Sequence, residues 1–411
     1  MRYKITLSWI ALLFAIVSQS QNNYENQIQQ AEEYHRSFIT IDSHADTPLW
    51  FLSEDYNFGE RHHPGKSSNK IDLPRMEEGG LDAVFLAAFV GQGKRTSKGH
   101  EKAYQRAHRI IDSIETVAAR HSEKAEIATT PQDAKRLKEE GKKALYIGLE
   151  NGYPLKRDLK KVKEFYNRGV RYITLSHTKN NEICDSSTDT LEHRGLSDFG
   201  ENVVKEMNRL GVMIDVSHIS DSAFYDVIQI SQTPVIASHS NARALRDHPR
   251  NLSDDMLKAI AKNNGVVQVC VLSDYVKKMP PNPERDSAMK LLRKKFKGFD
   301  DLTEEEQAAA RRQWQEINQK YPAPMAHLTD LADHIDHIAE VAGIEHVGIG
   351  TDFDGGGALN GVYDASELKN ITVELIRRGY SYEDIRKIWS GNFFRVFSEV
   401  VKHAEELNEA S

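Results

Sequence analysis

Histidines and carboxylates recur in this chain at the ends of short apolar runs, a placement that suits the binding of divalent cations. His44 and Asp46 close the run Phe38-Ile-Thr-Ile-Asp-Ser. In an extended backbone residues i and i+2 point to one side, so the imidazole and the carboxylate arrive together. Glu150 ends Ala-Leu-Tyr-Ile-Gly-Leu, His218 follows Met-Ile-Asp-Val-Ser, His239 follows Val-Ile-Ala-Ser, and Asp352 follows Val-Gly-Ile-Gly-Thr. A carboxylate closing a buried strand is costly when unpaired, and a metal ion removes that cost. A single histidine at a strand end is ordinarily structural; six ligand-type residues at the ends of five such runs are not explained in that way. Three carboxylates and three imidazoles exceed what one tetrahedral zinc uses. They suit two cations roughly 3.5–4 Å apart with a carboxylate bridging them. Mixed His/carboxylate ligation favours Zn2+, two per chain, with manganese and iron as the open alternatives.

The elements that must position these groups are short strands alternating with helices. Strands are expected over 38–42, 83–89, 144–149, 172–175, 212–216, 235–237, 266–271 and 347–349, and helical spacing of apolar residues falls over 133–140, 198–210, 221–230 and 251–262. Eight such alternations predict a (β/α)8 TIM-type barrel, in which the C-terminal strand ends converge on one small volume. Two segments break the rhythm: a polar loop over 51–70, and an insertion over 273–324 after the seventh expected strand, with Pro280-Pro-Asn-Pro and a charged helical stretch through 303–320. Both follow strands, so both belong to the face where lids sit.

Residues 1–20 carry Arg2 and Lys4, an apolar core from Ile5 to Val17, and the small residues Ser18 and Ser20. That is a signal-peptide pattern, with a core shorter than a bilayer span. The expected organisation is a signal peptide over 1–20 and one metallohydrolase domain over 21–411, exported to the periplasm or secreted, with no membrane span in the mature chain. A formal net charge of −7 argues against nucleic acid as a partner. Homodimer formation is left open. Cys184 and Cys270 are the two cysteines; Cys270 reads as a small buried hydrophobe, and a bridge between the two is an open question. His334 and His337, and the pair His62-His63, read as structural or surface residues, and Asp354 as the stabiliser of its own turn through an Asx hydrogen bond.

The strips Ile-Asp-Ser-His44-Ala-Asp46-Thr-Pro, Gly-Leu-Glu150-Asn-Gly, Tyr-Ile-Thr-Leu-Ser-His177, Gly-Leu-Ser-Asp-Phe-Gly200, Asp-Val-Ser-His218, Ala-Ser-His239-Ser-Asn-Ala and Gly-Thr-Asp352-Phe-Asp-Gly together resemble the membrane (renal) dipeptidases, as do His334-Ile-Asp-His-Ile and Gly391-Asn-Phe-Phe-Arg-Val near the C-terminus. The resemblance runs from about Phe38 to Phe397. It implies a zinc hydrolase on a (β/α)8 barrel that cleaves dipeptides, including those with a second residue of D configuration. It further implies that His44 and Asp46 bind one zinc, that Glu150 bridges both, and that His218 and His239 complete the second site. On the same basis Asp352 transfers a proton, His177 contacts the carbonyl oxygen and the tetrahedral intermediate, and Arg250 holds the free carboxylate of the substrate. The animal enzymes are disulfide-linked and GPI-anchored; this chain lacks the cysteine set and an apolar tail, and looks like an exported bacterial relative. Two other functions compete: a related binuclear amidohydrolase acting on N-acyl amino acids or lactams, and a non-catalytic zinc- or peptide-binding protein.

Overall fold

The strands among the described residues are short and, β3 apart, buried along almost their whole length, which is the signature of a parallel sheet covered by helices. The computed structural model describes residues 25–53, 55–63, 69–296 and 302–410. The expected signal peptide lies outside these, as do position 54 and positions 64–68 of the polar loop. Strands β1 (Ile41–Ala45), β2 (Ala83–Phe89), β4 (Lys143–Glu150), β5 (Val170–Thr174), β6 (Met213–Asp215), β7 (Ile236–Ala237), β8 (Val266–Val269) and β9 (Val347–Ile349) pair in parallel in that order. The ring is closed beyond the ends of the ladders, where Asp352 N–H donates to His44 O (3.0 Å) and Asp46 N–H to Phe353 O (2.8 Å). This is the expected (β/α)8 barrel. An extra strand, β3 (Ala125–Ile127), pairs with the start of β4 on the outside of the ring.

Helices follow the strands and cover them. Helix Asp198–Leu210 begins at Ser197, whose hydroxyl accepts from Gly200 N, and stops at Gly211 in the left-handed conformation. Helix Asp254–Lys262 begins at Ser253, whose side chain accepts from Met256 N. The last helix, Asn392–Glu409, sends Phe393 and Phe397 to pack on Phe85, Tyr146 and Tyr172 inside the ring. The insertion holds a short helix, Ser273–Val276, then helices Pro283–Lys295 and Glu304–Lys320. Those two share a small apolar cluster of their own, with Leu292, Phe296 and Ala310 buried. Thr303 and Glu306 form a capping box at the start of the second helix. Among the described residues no helix is long and apolar enough to cross a membrane. Cys184 and Cys270 are both buried and free, so the two thiols do not pair.

Candidate active site

Strand β4 shows how the barrel aims its chemistry. Alternation sends Leu145, Ile147 and Leu149 outward into the layer beneath the helices, and Tyr146, Gly148 and Glu150 inward. Glu150 is 2% exposed. Its Oε2 lies 3.6 Å from His44 Nε2, while its Oε1 lies 3.2, 3.6 and 3.8 Å from the Nε2 atoms of His218, His177 and His239. One carboxylate therefore faces imidazoles on both sides. His44 Nε2 is also 3.8 Å from Asp46 Oδ2, and the Nε2 atoms of His218 and His239 face each other at 2.8 Å. All the expected ligands meet in one place.

The donor set fits cations. His44 Nε2, Asp46 Oδ1, Glu150 Oε2 and His218 Nδ1 are buried without a hydrogen-bond partner among the described residues, which is costly for polar atoms unless a ligand engages them. Burial and then the charge of Glu150 push Asp46 up to about 6. Burial, Asp46 and Glu150 together push Asp352 well above the usual carboxylate range. Burial pulls His44 down, yet Tyr172, Glu150 and Asp46 outweigh it and raise the ring well above its ordinary value. The pocket thus favours positive charge at that nitrogen. His218 and His239 are driven well below the usual histidine value by burial, helped by Arg250 and neighbouring imidazoles; the neutral imidazole is the ligating form. Three groups have ligand atoms within 4.8 Å of one another: His44, Glu150 and His239; Glu150, His177 and His218; His44, Asp46 and Asp352. These groupings cut across the division implied by the resemblance, since His239 sits with His44 and Asp352 joins the His44–Asp46 pair.

His177, after β5, packs its ring against Phe89 and points Nε2 at Glu150. Burial first, then Arg250 and His44, lower it to about 3. Asp352 turns into the site on a left-handed backbone (φ 59°). A Cβ on Gly355 would come within 2.2 Å of both Asp352 Oδ1 and Asp46 Oδ2, so only glycine lets that loop pass the two carboxylates. Arg250 is 3% exposed; it donates to His239 O (3.0 Å) and, at 3.4 Å, to Ser240 Oγ, and its Nε is unpartnered. Among the described residues no carboxylate pairs with its guanidinium, and a buried cation without a counter-charge is an anion-binding group in waiting.

Several supporting residues carry no sequence signal of that role. Tyr172 Oη lies 2.7 Å from His44 Nδ1, and Gly148 leaves room for its ring, which a Cβ there would meet at 2.2 Å. Asp42 accepts from Thr351 N (2.8 Å) and Thr351 Oγ1 (2.5 Å), joining β1 to the segment after β9 and so setting His44 beside Asp352. Asp354 corrects the turn reading: its carboxylate accepts from Thr47 Oγ1 (2.6 Å), Lys70 N (2.8 Å) and Trp50 Nε1 (3.2 Å), anchoring the loop that carries Asp46. His334 is structural, lying between Ala242 N (3.1 Å) and Val276 O (2.8 Å), and His337 pairs with Asp254 at 2.8 Å.

The family model described as membrane dipeptidase (peptidase family M19) matches residues 28–411. Dipeptidase 3 of Homo sapiens is 33% identical over 394 residues, which span 93% of this chain and 69% of the relative. Among solved structures, the probable dipeptidase PvdM from Pseudomonas aeruginosa is 33% identical with a TM-score of 0.79, covering 92% of this chain and 100% of that one. The metallo peptidase from Rhodobacter sphaeroides, liganded with a phosphinate mimic of the dipeptide L-Ala-D-Ala, shares the fold at 20% identity, with a TM-score of 0.71 over 88% of this chain and 99% of that one.

Proposed function

The chain belongs to the membrane dipeptidase family of metallopeptidases, and from that premise we propose that it is an exported dipeptidase using two zinc ions to hydrolyse dipeptides, L-D dipeptides among them. The observation that carries this reading is the split of Glu150, one oxygen toward His44 and the other toward three imidazoles. In the proposed arrangement His44 and Asp46 would hold one ion and His218 and His239 the other, with Glu150 shared between them. Ions held there would supply Lewis acidity and would make water acidic enough to serve as the nucleophile of the hydrolysis.

The remaining steps belong to the chain. Arg250 offers its fork to the substrate's free carboxylate, a bidentate fit that supplies the missing counter-charge. His177 presents its ring nitrogen to the carbonyl oxygen as charge develops there. Asp352, aimed into the site from the segment after β9, takes the proton at its carboxylate oxygen and passes it to the leaving amine. Signal-peptide-like residues 1–20 support export.

Elemental analysis beside a hydrolysis panel tests this. The expected result is two zinc ions per chain and cleavage of L-L and L-D dipeptides, beginning with L-Ala-D-Ala, with Arg250→Ala abolishing the preference for a free α-carboxylate. Turnover of N-acyl amino acids or lactams in place of dipeptides would move the assignment to an amidohydrolase. Tight dipeptide binding without product would leave a binding protein.

A further inference from the structure

Asp215 ends β6 as a fully buried carboxylate, and its partners are all donors. Oδ1 accepts from Ser217 N (3.0 Å) and Ser238 N (2.9 Å); Oδ2 accepts from Thr174 Oγ1 (2.5 Å) and Ser238 Oγ (2.7 Å). Ser238 Oγ also lies 2.7 Å from His239 Nδ1. A hydroxyl has one proton, and Ser238 gives it to the carboxylate, which can only accept. Its oxygen is then free to accept, so His239 Nδ1 must carry hydrogen and His239 Nε2 must be the bare nitrogen. Nε2 is the atom turned toward Glu150.

The neighbouring rings are not held from behind in this way: with His239 Nε2 bare, the 2.8 Å approach of the two Nε2 atoms makes His218 the donor in the metal-free chain, a hydrogen that nothing behind the ring fixes. His218 Nδ1 has no partner, and between His44 Nδ1 and Tyr172 Oη either atom can donate. We infer that Asp215 and Ser238 are positioning residues that lock His239 in its metal-binding tautomer and thereby set the affinity of one of the two metal positions. This rests on the metal-site reading above. Carboxylate partners behind a ligating histidine commonly hold its tautomer and orientation in this way; here the contact runs through a hydroxyl.

Asp215→Asn is the informative change. The two backbone N–H groups on Oδ1 require an acceptor, so the amide oxygen stays with them and the NH2 faces Ser238. The Ser238 hydroxyl must then turn its proton to His239 Nδ1, which moves the ring hydrogen to Nε2 and removes the ligand lone pair. Imidazole 15N NMR on the metal-free full chain, with zinc affinity by chelator competition, reads both consequences. Expected are Nδ1–H at His239 in the parent, Nε2–H in Asp215→Asn, and an affinity at one site lower by about 10- to 100-fold. Thr174→Val, which leaves Ser238 bonded to Asp215, should change neither. If Asp215→Asn fails to fold, Ser238→Ala is measured in its place, and it should weaken the same site. An unchanged tautomer with unchanged affinity in Asp215→Asn, or unchanged affinity in Ser238→Ala, overturns the inference. A parent chain that binds no zinc sinks the metal reading, while the ring tautomers still judge the relay.

Discussion

The two ends of the barrel interior are built from opposite materials. In the N-terminal half the ring is filled by Phe85, Tyr146, Tyr172, Phe393 and Phe397, none more than 1% exposed, with the Phe85 ring 4.8, 5.1 and 5.3 Å from those of Tyr146, Tyr172 and Phe393. The C-terminal half holds carboxylates and imidazoles, several with polar atoms that no described residue satisfies. Close aromatic packing contributes stability wherever it occurs, whereas unpaired buried polar atoms cost stability and persist for function. Tyr172 belongs to both ends, its ring among the aromatics and its hydroxyl on His44. Stability and chemistry should therefore respond to different substitutions, although the two layers lie within one side chain of each other.

The largest effect should come from the polar end. Asp352→Asn removes the proposed proton carrier, and kcat should fall by about 10²- to 10⁴-fold. The thermal midpoint should hold or rise, because a carboxylate crowded by Asp46 and Glu150 is gone. Collapse of the fold in that variant would break the separation of roles. Next, Phe85→Ala at the aromatic end should cost about 3–5 kcal/mol in urea unfolding and leave kcat per folded molecule unchanged. A matching loss of kcat would show that the layers are coupled. The smallest effect concerns His35, outside the ring, whose Nε2 bonds to Thr372 Oγ1 (2.6 Å) and whose ring packs edge-on against Trp389. Burial lowers it to about 3 from an ordinary 6.5. Below pH 6.5 the unfolded chain takes up a proton that the folded chain refuses. Stability is then lost as pH falls from 6.5 toward 3, by at most about 1.4 kcal/mol per unit, and is unaffected above that range. His35→Gln should flatten the difference in urea stability between pH 7 and pH 5 without altering metal content; an unchanged slope would remove His35 as its source.

The barrel and the meeting of the candidate ligands in one place are legible because strand ends announce themselves where apolar runs meet a histidine or an acid. β1 was expected over 38–42 and lies at Ile41–Ala45. The run looks finished at the polar Asp42, whose partner Thr351 is more than 300 residues away. β3 spans only Ala-Glu-Ile, too short for any period to register. Helix Ser97–Arg120 is harder to see in the sequence: Ala103, Ala107, Ile110, Ile114, Val117 and Ala118 form a helical stripe, but its polar opening, Ser-Lys-Gly-His, obscures the start. The sequence around Asp354 suggests a local role, because an aspartate before glycine usually serves its own turn. Here its partners Thr47, Trp50 and Lys70 come from the loop after β1. Tyr172 and Asp215 sit inside strand patterns, where alternation specifies a side but not a partner.

His218 and Asp352 both enter the site from left-handed backbone, with φ of 72° and 59°. Outside glycine, that conformation is tolerated chiefly by asparagine, aspartate and histidine. The main chain therefore restricts the alphabet at these two positions before any ion does. Exchanging His218 for cysteine or glutamate to recruit a different metal would strain the turn as well as change the ligand. Drift in this lineage, and any redesign of its metal preference, should run more easily through His44 and Glu150, which stand on extended strands.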